Sequence, residues 1–462
     1  MAGREDGPKL RPQPGRRRVV AGRKPARVGA ALAPKLILGR PRRDVSGSAD
    51  RLGRASGCQP PRMSAPYDAV VVGAGPAGSA TARDVAAAGY RVLLLEEHAA
   101  IGEPLHCSGL VTPRTLALAG ASEAIVLNEM RGAFINLPSG TCLPVGGSEL
   151  YAKAIDRVAF DRELVCQAQR QGACLRTGSK LVDIERNGGT LRLSVQRQGR
   201  YESVETRLLV GADGAQSRVA RWLGVRPVAR EVLVGVSVEA KLSPRRQDHA
   251  EVFVGNSVAP GFFGWLIPLG SGSVRIGVAT NDGKRPIHHL RALIETFPAV
   301  LAGAEFGRLF GGLIPLTLVR QPFDDNVLLV GDAAGQVKPT SGGGIYSSLV
   351  GASHCARVAT QALQQDDLSA SFLRQYYVGW QREMGQEFER MDDLRRIFLS
   401  LSDPDLERIA QLLASRRLRG LIARAGDIDF PSPLLLQLVK MRPALLSFVR
   451  VGLRVPWHRL LN

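Results

Sequence analysis

Gly73, Gly75 and Gly78 stand in the run Gly-Ala-Gly-Pro-Ala-Gly, and Glu96 lies 23 positions after the first of them. At that spacing Gly73 permits a tight turn and Gly75 lets main chain approach a diphosphate. Gly78 lets a helix opened by Pro76 and Ala77 pack close to a strand. The helix start then directs unpaired N–H groups at the diphosphate. A carboxylate at this distance, Glu96 with Glu97 beside it, accepts hydrogen bonds from a ribose. Tyr67–Val72 is mostly apolar and rich in valine, which predicts a buried parallel strand. An alanine-rich helix follows to about Ala88, Gly89 ends it, and YRVLLLE forms a second strand ending at Glu96. An acid in place of arginine at the strand end disfavours a 2′-phosphate and leaves NAD and FAD both open.

Two later segments repeat the design. RLLVGADGAQSRV reads as strand, an Asp213-Gly214 turn, and a helix opened by Ser217 and Arg218. DNVLLVGDAAGQVKPTSGGGIYSS reads as strand, Gly331-Asp332, then Gly342, Gly343 and Gly344 before a helix starting at Ile345. A nicotinamide cofactor needs only the first loop. FAD carries a ribityl chain and a ring beyond its diphosphate, so it needs contacts from elsewhere. Asp332 suits the ribityl hydroxyls, and the glycines suit a helix start facing the ring edge where negative charge collects on reduction. The alternative is a pair of ordinary Asp-Gly turns and a flexible loop. Together the three segments resemble a Rossmann-like FAD-binding domain of the glutathione reductase and para-hydroxybenzoate hydroxylase type, and the fold this resemblance implies is α/β, with a β-sheet substrate domain and a helical C-terminal tail.

With GAGPAG, GADG with SRV, and GDAAG with PTSGGGIYSSLVGA in place, the chain resembles the geranylgeranyl reductase family of that fold. GEPLHCSGLVT resembles the family's cysteine loop, with Cys107 and Gly109 in the matching places. GFFGWLIPLGSGSVRIGVA resembles its substrate-cavity motif, with Phe263, Trp265 and Pro268 matching; Ile267 and Ala279 depart from it. The resemblance covers about Tyr67 to Thr360. It implies hydride transfer from reduced FAD to an isolated C=C of a polyprenyl lipid, prenyl diphosphate, quinone or pigment side chain, with a proton supplied to the other carbon. It places Cys107 beside the flavin, with His106 as a neighbouring proton donor, Arg157 approaching the flavin, and Phe262, Phe263, Trp265 and Pro268 walling an apolar cavity. Cys107 as a packed small hydrophobe, His106 as a solvated loop residue and Arg157 as a surface helix-start residue are the plain alternatives. No second Gly-x-Gly-x-x-Gly is present, so electrons come from NAD(P)H visiting the same cleft or from a reduced carrier protein. Rival activities are an FAD-dependent hydroxylase or halogenase on the same fold, and a non-catalytic flavin-bound lipid carrier.

Hydrophobic residues make up 45% and charged ones 22% of 462 residues, which excludes a largely disordered chain. Residues 1–66 hold 16 Lys and Arg against four Asp and Glu. This leader reads as a disordered basic arm, a transit peptide, or sequence upstream of a start at Met63, so the net charge of +19 is no argument for a specific nucleic acid. The six cysteines form no metal-ligand spacing, so no metal is expected and a reduced, cytoplasmic setting fits. Expected boundaries are 67–115, 150–225 and 320–365 for the FAD-binding domain, 116–149 and 226–319 for the substrate domain, and 366–462 for the helical region. The apolar, basic end (Ser432–Leu461) reads either as a lid on the domain or as peripheral membrane contact. The oligomeric state is left open.

Overall fold

Strand β1 (Tyr67–Val72) is apolar because both of its faces are covered. In the computed structural model, which describes residues 65–225, 232–445 and 447–448, β1 lies parallel between β2 (Val92–Leu95) and strand Arg200–Gly211. Strands Cys174–Arg176 and Val327–Leu329 extend this parallel core on either side. One face buries Ala69, Val71, Leu94, Leu208 and Val210 under three helices, α1 (Pro76–Ala87), Arg157–Arg170 and Ile345–Gln365. Alanines line the contact because the helices approach one another closely there. The other face buries Val70, Leu93, Leu95 and Leu209 under the hairpin Ser179–Asn187 and Thr190–Arg197 and the short helix Arg218–Trp222. The leader, the start at Met63 and the last basic residues of the tail, Arg450 to Arg459, lie outside the described residues.

A seven-stranded sheet runs in the order Glu305–Pro315, Val232–Lys241, Ser273–Thr280, Phe263–Gly270, His249–Val254, Gly132–Asn136 and Cys142–Gly146. The expected hairpin turn at Gly270-Ser-Gly272 is present; all three residues have positive φ (85°, 51° and 72°), which glycine tolerates at two of them. The pleat sorts the side chains. Val238, Leu266, Ile276 and Val278 pack against helix Pro286–Thr296, whereas Leu233, Trp265, Ala279 and Ile314 face Val337 of the glycine-rich loop. A small three-stranded sheet, Leu110–Val111, Ala152–Ile155 and Val126–Met130, lies between the two large ones in the chain.

From Ala370 the chain is helical, and as far as Met441 it folds back on the preceding sheets. Lys338 Nζ donates to Asp429 Oδ1 at 2.5 Å and to the Ile428 carbonyl at 3.1 Å, and Thr112 Oγ1 donates to Asp429 Oδ2 at 2.6 Å. Arg114 pairs with Asp427 at 2.7 Å and lies over the Phe430 ring. Arg395 donates to the Gly261 carbonyl at 3.1 Å. This part of the tail is a cover packed on the body of the protein. No helix among the described residues is long and apolar enough to cross a membrane.

Lys338 and Asp429 are both buried, so removing one charge strands the other. Lys338→Met or Asp429→Leu alone will lower stability by ~3–5 kcal/mol, and the double substitution by clearly less than either. Urea unfolding midpoints of the three variants check this; equal losses that simply add would refute it.

Candidate functional site

The carboxyl ends of β1, Arg200–Gly211 and Val327–Leu329 lie side by side because the three strands are parallel neighbours. The three glycine turns leave from those ends. A Cβ on Gly73 would collide with the Ala212 carbonyl of the second turn, and one on Gly331 would sit 2.9 Å from Ala77 Cβ in the first. A Cβ on Gly78 would strike the Gly73 carbonyl. Gly75 and Gly214, by contrast, face space in which a Cβ would meet nothing within 4 Å. Glu96 closes the first turn, accepting from the Ala74 N–H at 2.9 Å and contacting His98 Nδ1 at 2.7 Å.

The third turn is held from beneath. Gly331 N–H donates to Gln336 Oε1 at 2.8 Å, Gln336 Nε2 donates to the Tyr376 hydroxyl at 2.9 Å, and that hydroxyl donates to the Leu329 carbonyl at 2.8 Å. Asp332 then sits against the glycine run, its Oδ1 3.1 Å from where a Gly344 Cβ would fall. Burial pushes its carboxyl up to about 6, partly countered by the Arg157 guanidinium. Gly342 (φ +67°) comes so close to the aromatic wall that a Cβ would lie 3.1 Å from Phe262 Cζ. Gly343 similarly faces Lys338 Cε at 3.2 Å. The helix starting at Ile345 and α1 begin at glycines with no side-chain cap, whereas helices Arg157–Arg170 and Arg218–Trp222 are capped by Asp156 and Ser217. Two uncapped helix starts leave their first N–H groups available to an anion or a polar ring edge.

Arg157 joins the parts. It is largely buried, donates to both oxygens of Asp161 at 2.9 and 3.0 Å, and leaves its buried Nε without a partner among the described residues. Burial works against its charge, but Asp161 and Cys107 hold its pKa above the ordinary arginine value. Burial raises the Asp161 carboxyl in turn, against the pull of Arg157. Cys107 Sγ accepts from the Gly109 N–H at 3.4 Å. His106 lies over Gly312 of the seven-stranded sheet, its Cβ 3.2 Å from where a Gly312 Cβ would fall. Burial lowers its pKa, with a hydrogen bond to Gly311 opposing, so the ring is neutral near pH 7.

On the same face of the sheet, Phe262 stacks on Phe263 at 4.1 Å, and Phe263 meets Trp265 edge to face at 6.2 Å. Trp265 lies flat over Gly277, where any Cβ would strike its indole, and its buried Nε1 has no partner among the described residues. Strand alternation puts Pro268 on the opposite face with Gly264 and Leu266, toward helix Pro286–Thr296, so the wall consists of Phe262, Phe263 and Trp265.

Two acids are already engaged. Glu97 is held by Lys180 at 2.5 Å in an exposed pair, which lowers its pKa. Asp213 accepts from Ser217 Oγ at 2.5 Å and from the Arg218 N–H at 2.7 Å, so its carboxylate secures the helix start. In that turn, Gly214 is the residue that leaves main chain open. Motif reading passed over Asp161 and Arg275. The first was legible as an acid four residues after Arg157 on a helix. Arg275 was not: it is a buried arginine inside an apolar strand, donating to the Ser108 carbonyl at 2.5 Å and to Glu239 at 2.6 Å, and only the packed structure brings it under the cysteine loop.

These features fit FAD: a bare diphosphate turn at Gly75, a carboxylate at Asp332 that accepts no side-chain or backbone hydrogen bond among the described residues, and a glycine-paved helix start. A family described as "FAD binding domain" matches residues 66–292, and the chain carries that domain. It is 31% identical over 364 residues to digeranylgeranylglycerophospholipid reductase 1 of Methanococcoides burtonii, covering 74% of this chain and 86% of the relative. A geranylgeranyl bacteriochlorophyll reductase-like protein of Thermoplasma acidophilum superposes with a TM-score of 0.72 at 25% identity, over 82% of this chain and 99% of the other. The flavin-dependent halogenase CmlS superposes with a TM-score of 0.61 at 19% identity, over 84% and 78%, which is a likeness of fold.

Gly75→Val will lower bound FAD while leaving the melting temperature of the flavin-free protein unchanged, because its side chain enters open space. Gly73→Ala (φ +101°) will destabilise the flavin-free fold itself by at least ~1 kcal/mol. Flavin absorbance and thermal unfolding separate the two.

Asp332 predicts a pH effect of definite sign. Below pH ~4 its carboxyl is protonated in both states and contributes nothing. Between its ordinary value of 3.8 and about 6, the unfolded chain releases the proton that the fold retains, so flavin-free stability falls as pH rises, by at most ~3 kcal/mol, and is level above. Unfolding of wild type and Asp332→Asn from pH 4 to 7 will show this fall in the wild type and its loss in the variant.

Proposed function

Because the chain belongs to the digeranylgeranylglycerophospholipid reductase family, we propose that it reduces isolated C=C bonds in the isoprenoid chains of a polyprenyl lipid. The observation that carries this reading is the contact between the third glycine turn and an aromatic wall, Gly342 against Phe262, with the Arg395 guanidinium lying over the outer ring of Phe262. A hydroxylated aromatic substrate would call for polar partners in the wall; a prenyl chain calls for Phe262, Phe263, Trp265, Leu233 and Ile314.

FAD, when bound and reduced, supplies the hydride. Main chain at Gly75 and the first turn of α1 would hold its diphosphate, Glu96 its ribose, Asp332 its ribityl hydroxyls, and Gly342 to Ile345 its ring edge. The chain's own residues do the rest. The aromatic wall excludes water and aligns the alkene, which matters because an unactivated double bond takes a proton only at close range in a dry site. Arg275 grips the Ser108 carbonyl beside Cys107, and the Arg157 guanidinium sets a positive charge near the thiol. The Cys107 thiol holds the proton to be delivered to the substrate carbon, and His106 relays its replacement from solvent, taking a proton at one ring nitrogen as it gives one up from the other. Electrons arrive from NAD(P)H or a reduced carrier protein, and a cytoplasmic setting with peripheral contact to a bilayer belongs with a lipid substrate.

An anaerobic assay with dithionite-reduced protein and a geranylgeranyl lipid tests the reading: each bond reduced adds two mass units. Cys107→Ala and Trp265→Ala will each lower the rate at least about tenfold, ~1.4 kcal/mol of barrier, with FAD retained. Substrate-dependent oxygen consumption with oxygen incorporated into the product would favour the hydroxylase reading instead.

A further inference from the structure

Between the edge strand Cys142–Gly146 and helix Arg416–Ala425 lies a groove of about 470 Å³. The helix faces it with Arg416, Arg419, Gly420, Ala423 and Arg424, residues spaced three, four, seven and eight apart and therefore on one side. The opposite wall supplies Arg246 and His249. The helix touches the strand end at Ala423, whose Cβ lies 3.6 Å from where a Gly147 Cβ would fall, an ordinary packing distance. Its apolar side, with Leu418 and Ile422, packs into a separate small core that fixes the arginine side in place.

Charge on the helix side of this groove is uncompensated among the described residues, whereas Arg246 is paired. Asp248 is engaged on both sides, by Arg246 at 2.8 and 2.9 Å and by His249 Nδ1 at 2.8 Å. Arg416, Arg419 and Arg424 have no ion pair among the described residues, and Arg419 Nε is buried with no hydrogen-bond partner. The first turn of the helix holds Arg416 and Arg417 and no acid, so cations occupy the end where the backbone dipole is itself positive. Like charges three residues apart on a helix repel as well. An arrangement that opposes both rules is relieved by an anion seated among the guanidinium groups, and the planar fork of arginine matches the oxygens of a phosphate.

We propose that this groove is a phosphate-binding site, taking the phosphate of a phosphorylated small molecule or of a lipid head group. Arg419 and Arg416 are its principal ligands, and Arg246 and Arg424 complete it. The proposal is independent of the isoprenoid reading, since the groove is assayed by binding and the aromatic wall by reduction; either can fail without the other.

The test uses the FAD-loaded full chain, with inorganic phosphate titrated calorimetrically against chloride at matched ionic strength. Sedimentation with vesicles of phosphatidylglycerol and phosphatidylcholine, and of phosphatidylcholine alone, is measured in parallel. Arg416→Gln, at an exposed position, and Arg419→Gln are compared with Arg200→Gln, which makes the same charge change in a distant hairpin turn. Saturable phosphate binding weakened at least tenfold by the first two variants and unaltered by the third establishes the site with a free phosphate as ligand. Absence of saturable phosphate binding, with vesicle binding lost only in the first two, establishes it with a lipid head group. Binding that is absent in both arms, or equally reduced by Arg200→Gln, overturns it. Flavin absorbance of each variant confirms folding, and Arg416→Gln decides the matter should Arg419→Gln fail to fold.

Discussion

Three main-chain segments approach one another more closely than any side chain allows, and the rest of the molecule is arranged around that approach. Gly73 meets the Ala212 carbonyl, Gly78 meets the Gly73 carbonyl, and Gly331 meets Ala77. Parallel neighbours end on the same edge of a sheet, so strands distant in sequence deliver their turns to one place. Glycine at the contacts lets them close, and glycine at Gly75 and Gly214 keeps the resulting cleft free of side chains. Helices α1 and Ile345–Gln365 then start at the cleft without capping side chains, which leaves their N–H groups directed into it.

Electrostatics ties this cleft to the second sheet. Arg157 stands at the start of its helix, bonded to Asp161 and within the field of both Asp332 and Cys107, so one largely buried cation acts on the third glycine turn and the cysteine loop together. Arg275 reaches the same loop from the opposite sheet and is held by Glu239. The cysteine loop is thus anchored to the seven-stranded sheet. The seven-stranded sheet has room for it because Gly312 and Gly277 leave space above the pleat for His106 and the Trp265 indole. Behind them the helical region locks the glycine run through the buried Lys338–Asp429 pair.

Much of this was legible as local pattern. The first turn, its strands and its helix follow from apolar periodicity and glycine spacing, and the observed helix Pro76–Ala87 and strand Val92–Leu95 fall where that pattern puts them. The hairpin around Ser271 was equally plain, because Gly-Ser-Gly between valine-rich segments has few other uses. Individual acids were harder. Asp213 and Glu97 look like cofactor ligands by position, yet one secures a helix start and the other a surface lysine. A motif specifies where a carboxylate sits along the chain, whereas its partners depend on what else folds beside it. Pro268 fell on the far face of its strand for a simpler reason: an even offset from Gly264 and Leu266 keeps it on their side of the pleat.

Local sequence alone determined the turns, the strands and the flavin chemistry they serve, because glycine placement and hydrophobic period act over a few residues. Tertiary structure decided which distant groups meet: Arg275 with the Ser108 carbonyl, Lys338 with Asp429, and the arginines of Arg416–Ala425 across a groove from Arg246. Those meetings depend on through-space distance between residues far apart in the chain, 167 positions for Arg275 and Ser108, a quantity that no local pattern encodes.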